Sequence, residues 1–326
     1  MIIAWSKINS PLYNNIICSI SGGADSDIVL DICKICDRDN KCRYFWIDTG
    51  LEYQATKDHL KYLEKEYGVS IYPVKAIKSI PTSCRQYGQP FMSKMISAYM
   101  YRLQLHDFQW EDQSFDELYK KYPKCKSALM WWCNTKLDRD DGKTSRFNIS
   151  VKKWLKEYII KNPPTFKISN KCCYYAKKLP AMHLKNEEGC DLSILGVRKA
   201  EGGARAVAYK NCFTAKPDDP DEYRPVFWYT NADKEMYKEH YNIVYSDCYE
   251  IYGLDRTGCA GCPFGKYWES ELEVIKTHEP KLYKAVNNIF GDSYEYMRGY
   301  SKFVEEMDAK YGSYKKYLEQ KEGIEN

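Results

Sequence analysis

A short run of β-prone residues, Asn15-Ile16-Ile17-Cys18-Ser19-Ile20, stops abruptly at Ser21-Gly22-Gly23-Ala24-Asp25-Ser26, and apolar residues then recur at helical spacing as Ile28, Val29, Leu30 and Ile32. This strand, glycine turn and helix constrain the fold more than any other part of the chain. A second run, Arg43-Tyr44-Phe45-Trp46-Ile47, ends at Asp48-Thr49-Gly50, after which Gln54 to Tyr67 reads as a polar amphipathic helix. Ser70 to Val74 is predicted to be a third strand, and Asp191 to Leu195 a further one that ends in Gly196-Val197-Arg198. Parallel strands need crossover helices, so this alternation implies βαβ units and a parallel sheet flanked by helices. Ligands of such sheets sit beyond the carboxyl ends of the strands.

The rest of the chain organises around that core. Residues from about 80 to 165, rich in Lys, Asp, Tyr and Trp, read as a helical insertion broken at Asp138-Arg139-Asp140-Asp141-Gly142. A Pro/Asp-rich loop, Lys216 to Asp221, leads on towards Cys259-Ala260-Gly261-Cys262-Pro263, and everything from Trp268 onward looks helical and charged. The expected organisation is therefore a nucleotide-type domain over 1–265, with the insertion at 80–165 and cysteine segments at 171–180 and 256–265, then a helical extension over 266–326. The 49 Lys+Arg against 45 Asp+Glu leave a net charge of only +4, which does not predict a nucleic-acid-coating surface. No apolar run approaches the 18 or so residues of a membrane span, and the first residues lack a signal-peptide pattern, so no membrane partner and a cytoplasmic location are expected.

The glycine turn carries the sharpest local chemistry. Two glycines let the backbone approach an anion, hydroxyls flank them, and the next helix presents unpaired N–H groups and its positive dipole end, so a phosphate would fit. The alternative is an ordinary βα turn, where glycine and serine are also common. It is not a Walker loop, because no lysine follows the second glycine. Gly142-Lys143-Thr144 imitates a Walker ending, but Leu137 stands where the first glycine would be.

Ser21 to Ser26 resembles the SGGxDS loop of the PP-loop superfamily, and Asp48-Thr49-Gly50-Leu51-Glu52 resembles the DTG element of the phosphoadenosine phosphosulfate (PAPS) reductase family. Gly196-Val197-Arg198-Lys199-Ala200-Glu201-Gly202-Gly203-Ala204-Arg205 is similar to that family's G-[IV]-R-x-x-E-S-x-x-R segment, with Gly202 in place of the serine. The resemblance implies an adenine nucleotide alpha hydrolase-like α/β fold. In it Ser21, Gly22, Gly23, Asp25 and Ser26 hold phosphate or sulfate, and Asp48, Thr49, Gly50 and Gly196 line the nucleotide. Arg198 and Arg205 neutralise anionic oxygens, a role that suits the forked guanidinium. Arg205 has the competing reading of a surface ion pair.

Fourteen cysteines in a chain without an export signal point away from disulfides and towards metal ligands, reactive thiols or small core residues. Cys172-Cys173 and the later Cys259-Ala260-Gly261-Cys262 are two close pairs that can converge to four thiolates, suited to zinc or an iron–sulfur cluster. Adjacent cysteines point in different directions, which fits the corners of a cubane better than one tetrahedral ion. The arrangement also resembles the [4Fe–4S] motif of the adenylylsulfate (APS) branch of the same family, with Lys171 before it and Lys177, Lys178 and Pro180 after it. Cys133 and Cys248 stand as alternative ligands or as buried small residues.

One departure shapes the functional expectation. The family's reductases carry a nucleophilic cysteine in an E-C-G-L-H-like tail, whereas Cys262 is the last cysteine here. The expected activity is therefore an ATP-dependent adenylation or sulfur transfer, with Asp25, Arg198 and Arg205 as the reacting-site residues and a Mg²⁺ ion held by Asp25 or Asp48. The alternatives are a sulfonucleotide (APS/PAPS) reductase that uses another thiol, such as Cys133 or Cys248, or a partner's, and a non-catalytic nucleotide- or redox-sensing module. Beyond the adenine nucleotide, a nucleic-acid or protein acceptor of sulfur and a second copy of the chain are the partners left open.

Overall fold

The computed structural model describes residues 1–137, 142–202 and 207–324. They form two compact units that are discontinuous in sequence: Met1–Pro81, Cys173–Gly261 and Glu269–Ala285 make the first, and Thr82–Cys172, Cys262–Trp268 and Val286–Asn326 the second. This partition differs from 1–265 followed by 266–326, because Met297 and Phe303 pack into clusters built by residues of the 82–172 region. Among the described residues no helix is long and apolar enough to cross a membrane.

The first unit is a mixed α/β layer structure. Strands β1 (Ile16–Ser19), β2 (Cys42–Asp48), β3 (Ile71–Lys75), β4 (Leu192–Leu195), β5 (Phe213–Thr214) and β6 (Asp221–Tyr223) lie in the order β3-β2-β1-β4-β6-β5. All neighbours are parallel except β5, which runs antiparallel to β6. Side chains alternate across β1 as the strand period requires. Ile16 and Cys18 join Ile28, Val29, Ile32 and Cys33 of helix α2 (Ala24–Cys36) in the main core, and Ile17 joins Phe45, Leu184 and Cys190 on the opposite face. Each such buried aliphatic side chain contributes roughly 1.5–3 kcal/mol. The chain turns back at β1, with β2 on one side and β4 on the other, so the carboxyl ends of β1 and β4 flank a topological switch point.

Helix α1 (Ile2–Ile8) and the pair β5 and β6 have no counterpart in the sequence expectation. Strands of two and three residues are too short to show a period. The Pro/Asp-rich loop instead anchors β6: Asp221 accepts the Lys216 N–H at 2.9 Å and the Tyr13 hydroxyl at 2.5 Å. Helix α3 (Gln54–Tyr67) ends at Gly68, whose left-handed conformation lets its N–H cap the Glu64 carbonyl.

Around Cys172-Cys173 the chain is helical from Lys171, passes through a π turn at Tyr174–Lys178 and continues as Leu179–Glu187. Pro180 accounts for the wide turn. It lacks the N–H that would bond the Ala176 carbonyl, so the local ladder widens, and Leu179 N–H reaches Tyr174 O five residues back.

The second unit is helical. Its main cluster gathers Phe91, Ile96, Met100, Leu103, Phe108, Trp131, Trp132 and Ile159, and Trp154, Tyr158 and Phe303 form another. A single parallel bridge, Gln89 to Ile168, closes this region: Gln89 N–H donates to Lys167 O and Ser169 N–H to Gln89 O, both at 2.8 Å. Gly88 makes the approach feasible, since it has φ +112° and a Cβ there would lie 2.3 Å from the Lys167 carbonyl oxygen. Gly88→Ala is expected to lower the stability of the protein by about 1–3 kcal/mol, read as a shift in the urea midpoint. An unchanged midpoint would show that the bridge is not closed as described.

Candidate functional site

The loops that follow β1 and β4 meet over the first turn of α2. Ser26, in that turn, organises the first loop. Its hydroxyl donates to Gly23 O at 2.7 Å and accepts the N–H groups of Ser21 and Gly23 at 3.2 and 3.1 Å, while Ser21 Oγ lies 3.2 Å away. Gly22 takes φ +65°, and a Cβ on it would come within 2.9 Å of Thr56 Cγ2 on α3. From the β4 side, Gly196 lies against the same turn: a Cβ there would be 3.0 Å from Ser26 N and 3.1 Å from the Asp25 carbonyl. Ser21, Gly22, Gly23, Asp25, Ser26, Gly196 and Arg198 are thus gathered at one end of α2.

Arg198 is buried, at 7% exposed, and donates from Nε to Asp25 Oδ1 at 2.7 Å and from Nη1 to Asn231 Oδ1 at 2.9 Å. The two residues read separately from sequence are therefore an ion pair that ties the β4 loop to α2. Next to it, Asp27 accepts from or donates to His59 Nε2 of α3 at 2.8 Å, both side chains being buried. Burial pushes the Asp27 carboxyl up, and the His59 contact opposes it.

At the end of β2, Asp48 accepts the Gly50 N–H at 2.9 Å, and Gly50 has φ +79°. Thr49 is almost fully buried, with its hydroxyl on Glu52 and its Oγ1 3.9 Å from Cys259 Sγ. Burial raises the Glu52 carboxyl against the hydrogen bonds from Thr49, and the nearby Asp48 adds to the rise. The Ala260 N–H bonds Leu51 O at 3.0 Å, so the β2 loop is joined to the start of the Cys-x-x-Cys segment.

No motif marks three further residues at this end of the sheet. Tyr249 Oη accepts the Ala24 N–H at 3.3 Å and the Thr257 N–H at 3.2 Å, and the Thr257 hydroxyl lies 3.3 Å from it. A Cβ on Gly23 would sit 2.9 Å from Thr257 Oγ1 and 3.2 Å from Tyr249 Oη, so these two hydroxyls rest in the space that glycine leaves. Tyr245 is the third, its ring 5.8 Å from that of Tyr249.

Arg205 lies outside the described residues. Cys173 and Cys259 belong to the first unit, Cys172 and Cys262 to the second. Among the described residues no group of three or more His, Cys, Asp or Glu side chains is arranged to hold a metal ion. Burial raises the thiols of both alternative residues, Cys248, which is fully buried, and Cys133, whereas a nucleophile needs a lowered one.

The model of the phosphoadenosine phosphosulfate reductase domain matches residues 15–123. The matched segment holds β1 to β3 and the α2 loop. An uncharacterized protein of Methanocaldococcus jannaschii is 23% identical over 289 residues, 87% of this chain and 42% of the relative, so the chain spans less than half that protein's length. Among solved structures, phosphoadenylyl-sulfate (PAPS) reductase from Candida auris, in a phosphate complex, is 13% identical with a TM-score of 0.43, over 79% of this chain and 86% of that one. The U34-tRNA thiolase NcsA from Methanococcus maripaludis, with its [4Fe-4S] cluster, is 12% identical with a TM-score of 0.38, over 93% and 77%.

The Asp25–Arg198 pair gives this geometry a direct check. Arg198→Met leaves Asp25 without its partner and is expected to cost about 3–5 kcal/mol, whereas the double variant Asp25→Asn/Arg198→Met recovers much of the loss in chemical denaturation. Additive costs would show that the two side chains do not interact.

Proposed function

We propose that this PAPS reductase-type chain binds an adenine nucleotide (ATP, APS or PAPS) at the Ser21–Ser26 loop and uses it in adenylation of an acceptor or in sulfur transfer. The observation that carries the reading is the gathering of the β1 and β4 loops on the amino-terminal turn of α2. Backbone N–H groups and the helix dipole there favour an anion.

In adenylation, an acceptor oxygen attacks the α-phosphorus, a new O–P bond forms, and the bond to pyrophosphate breaks. The N–H groups of the loop and the Ser21 hydroxyl would stabilise the charge that grows on the departing pyrophosphate. Ser26 holds the loop in shape. Arg198, committed to Asp25, would supply positive potential at the anion site and keep the β4 loop in place. Asp48 or Asp25 would hold Mg²⁺, which screens the phosphate charge. The acceptor in this reading is a nucleic acid or a protein.

Cys172, Cys173, Cys259 and Cys262 are the proposed ligands of a [4Fe–4S] cluster on the chemistry of the donor set and their spacing, and no step above depends on it. Sulfonucleotide reduction is less well supported, because Cys248 is buried and burial raises the thiols of both Cys248 and Cys133, the opposite of what a nucleophile needs.

Isothermal titration with ATP, APS and PAPS tests the nucleotide reading: at least one is expected to bind, and Gly22→Ala to weaken it about ten-fold or more through backbone strain at the loop. Absence of binding to all three overturns it. Protein purified without oxygen is expected to be brown, with about four iron and four sulfide per chain. A colourless protein containing zinc would replace the cluster.

A further inference from the structure

The stretch that leads from the helix Asn231–Tyr241 to Cys259 brings two phenols to the first turn of α2. Ser246 fixes it: its hydroxyl accepts the Cys248 N–H at 3.3 Å and donates to Ala55 O of α3 at 3.4 Å. Tyr245 and Tyr249 therefore project from a pinned turn, with ring centroids 5.8 Å apart. The two hydroxyls differ in one respect. Tyr249 is satisfied, by the N–H groups of Ala24 and Thr257. Tyr245 is only 4% exposed, and its hydroxyl has no hydrogen-bond partner among the described residues.

An unpaired buried hydroxyl forfeits its hydration without return, and phenylalanine would fill the same space without that loss. The charged groups that surround Tyr245 are Glu235, Asp27, Asp25 and Arg198, three of which belong to the α2 turn and its ion pair. Lys234 and Lys238 place their ammonium groups 5.5 and 4.6 Å from the centre of its ring. Burial, reinforced by the nearby carboxylates, pushes the phenol up, so it remains an O–H donor at neutral pH. A donor without an acceptor among the described residues, on a ring flanked by two lysines and near the Asp25–Arg198 pair, suits an anionic oxygen.

We infer that Tyr245 is a ligand-binding residue whose hydroxyl donates to a phosphate oxygen of the nucleotide held at the first turn of α2. The inference rests on the nucleotide reading above. The placement also distinguishes Tyr245 from Tyr249, whose oxygen already accepts two backbone N–H bonds and serves the resting loop.

Tyr245→Phe separates the roles. Two measurements are needed: melting of the ligand-free protein, and titration with inorganic pyrophosphate and with whichever of ATP, APS and PAPS binds the wild type most tightly. Tyr245→Phe is expected to melt at or above the wild-type temperature yet to bind both ligands about ten-fold more weakly, as loss of a hydrogen bond to a charged acceptor requires. Tyr249→Phe, by contrast, is expected to melt lower. If Tyr245→Phe binds as tightly as the wild type, or melts clearly below it, the inference is overturned, the second result because the hydroxyl would then have a partner within the chain. A wild-type protein that binds none of the three nucleotides overturns the nucleotide reading itself.

Discussion

The amino-terminal turn of α2 has backbone N–H groups that the helix cannot satisfy, and the arrangement of this end of the first unit follows from how they are handled. Ser26 accepts the Gly23 N–H and Tyr249 the Ala24 N–H. Gly22 and Gly196 allow α3 and the β4 loop to come close enough to enclose the turn. The Asp25–Arg198 pair then fixes β4's loop to it by charge. These contacts gather the β1 and β4 loops at the positive dipole end of α2, the place proposed above for an anion.

The same turn is linked to the cysteine segment by short steps. Tyr249 bonds the Thr257 N–H, and Thr257 is two residues before Cys259. Ala260 bonds the β2 loop, whose Thr49 hydroxyl approaches Cys259. Two hydrogen bonds and two residues of chain thus separate the α2 loop from one of the proposed cluster ligands.

Much of this was legible in the sequence, and the reasons are specific. The β1 run, the Ser21–Ser26 turn and the Gly196-Val197-Arg198 element are contiguous, so their chemistry shows in a few residues, and helix α3 appears with the bounds its periodicity gives. The PAPS reductase domain match over 15–123 covers the β1 run, the Ser21–Ser26 turn and α3, but not the Gly196 element. What sequence reasoning missed depends on long-range packing. Tyr249 and Thr257 reach the loop from more than two hundred residues away as single side chains, and Tyr245 packs beside Tyr249. The Asp27–His59 contact joins two helices and has no spacing rule. Strands β5 and β6 are too short for a period, and the interleaved units arise because the helix Pro280–Tyr311 sends Met297 and Phe303 into clusters formed by the insertion.

The central proposal is that the Ser21–Ser26 loop, at the positive end of α2, receives a nucleotide's phosphates. Amide chemical shifts of Gly22, Gly23 and Ala24, followed by nuclear magnetic resonance during titration with ATP, APS and PAPS, test it most directly. The account predicts saturable downfield shifts of these amide protons with at least one of the three. Saturable shifts confined to residues away from the α2 turn, with Gly22, Gly23 and Ala24 unmoved, would contradict it.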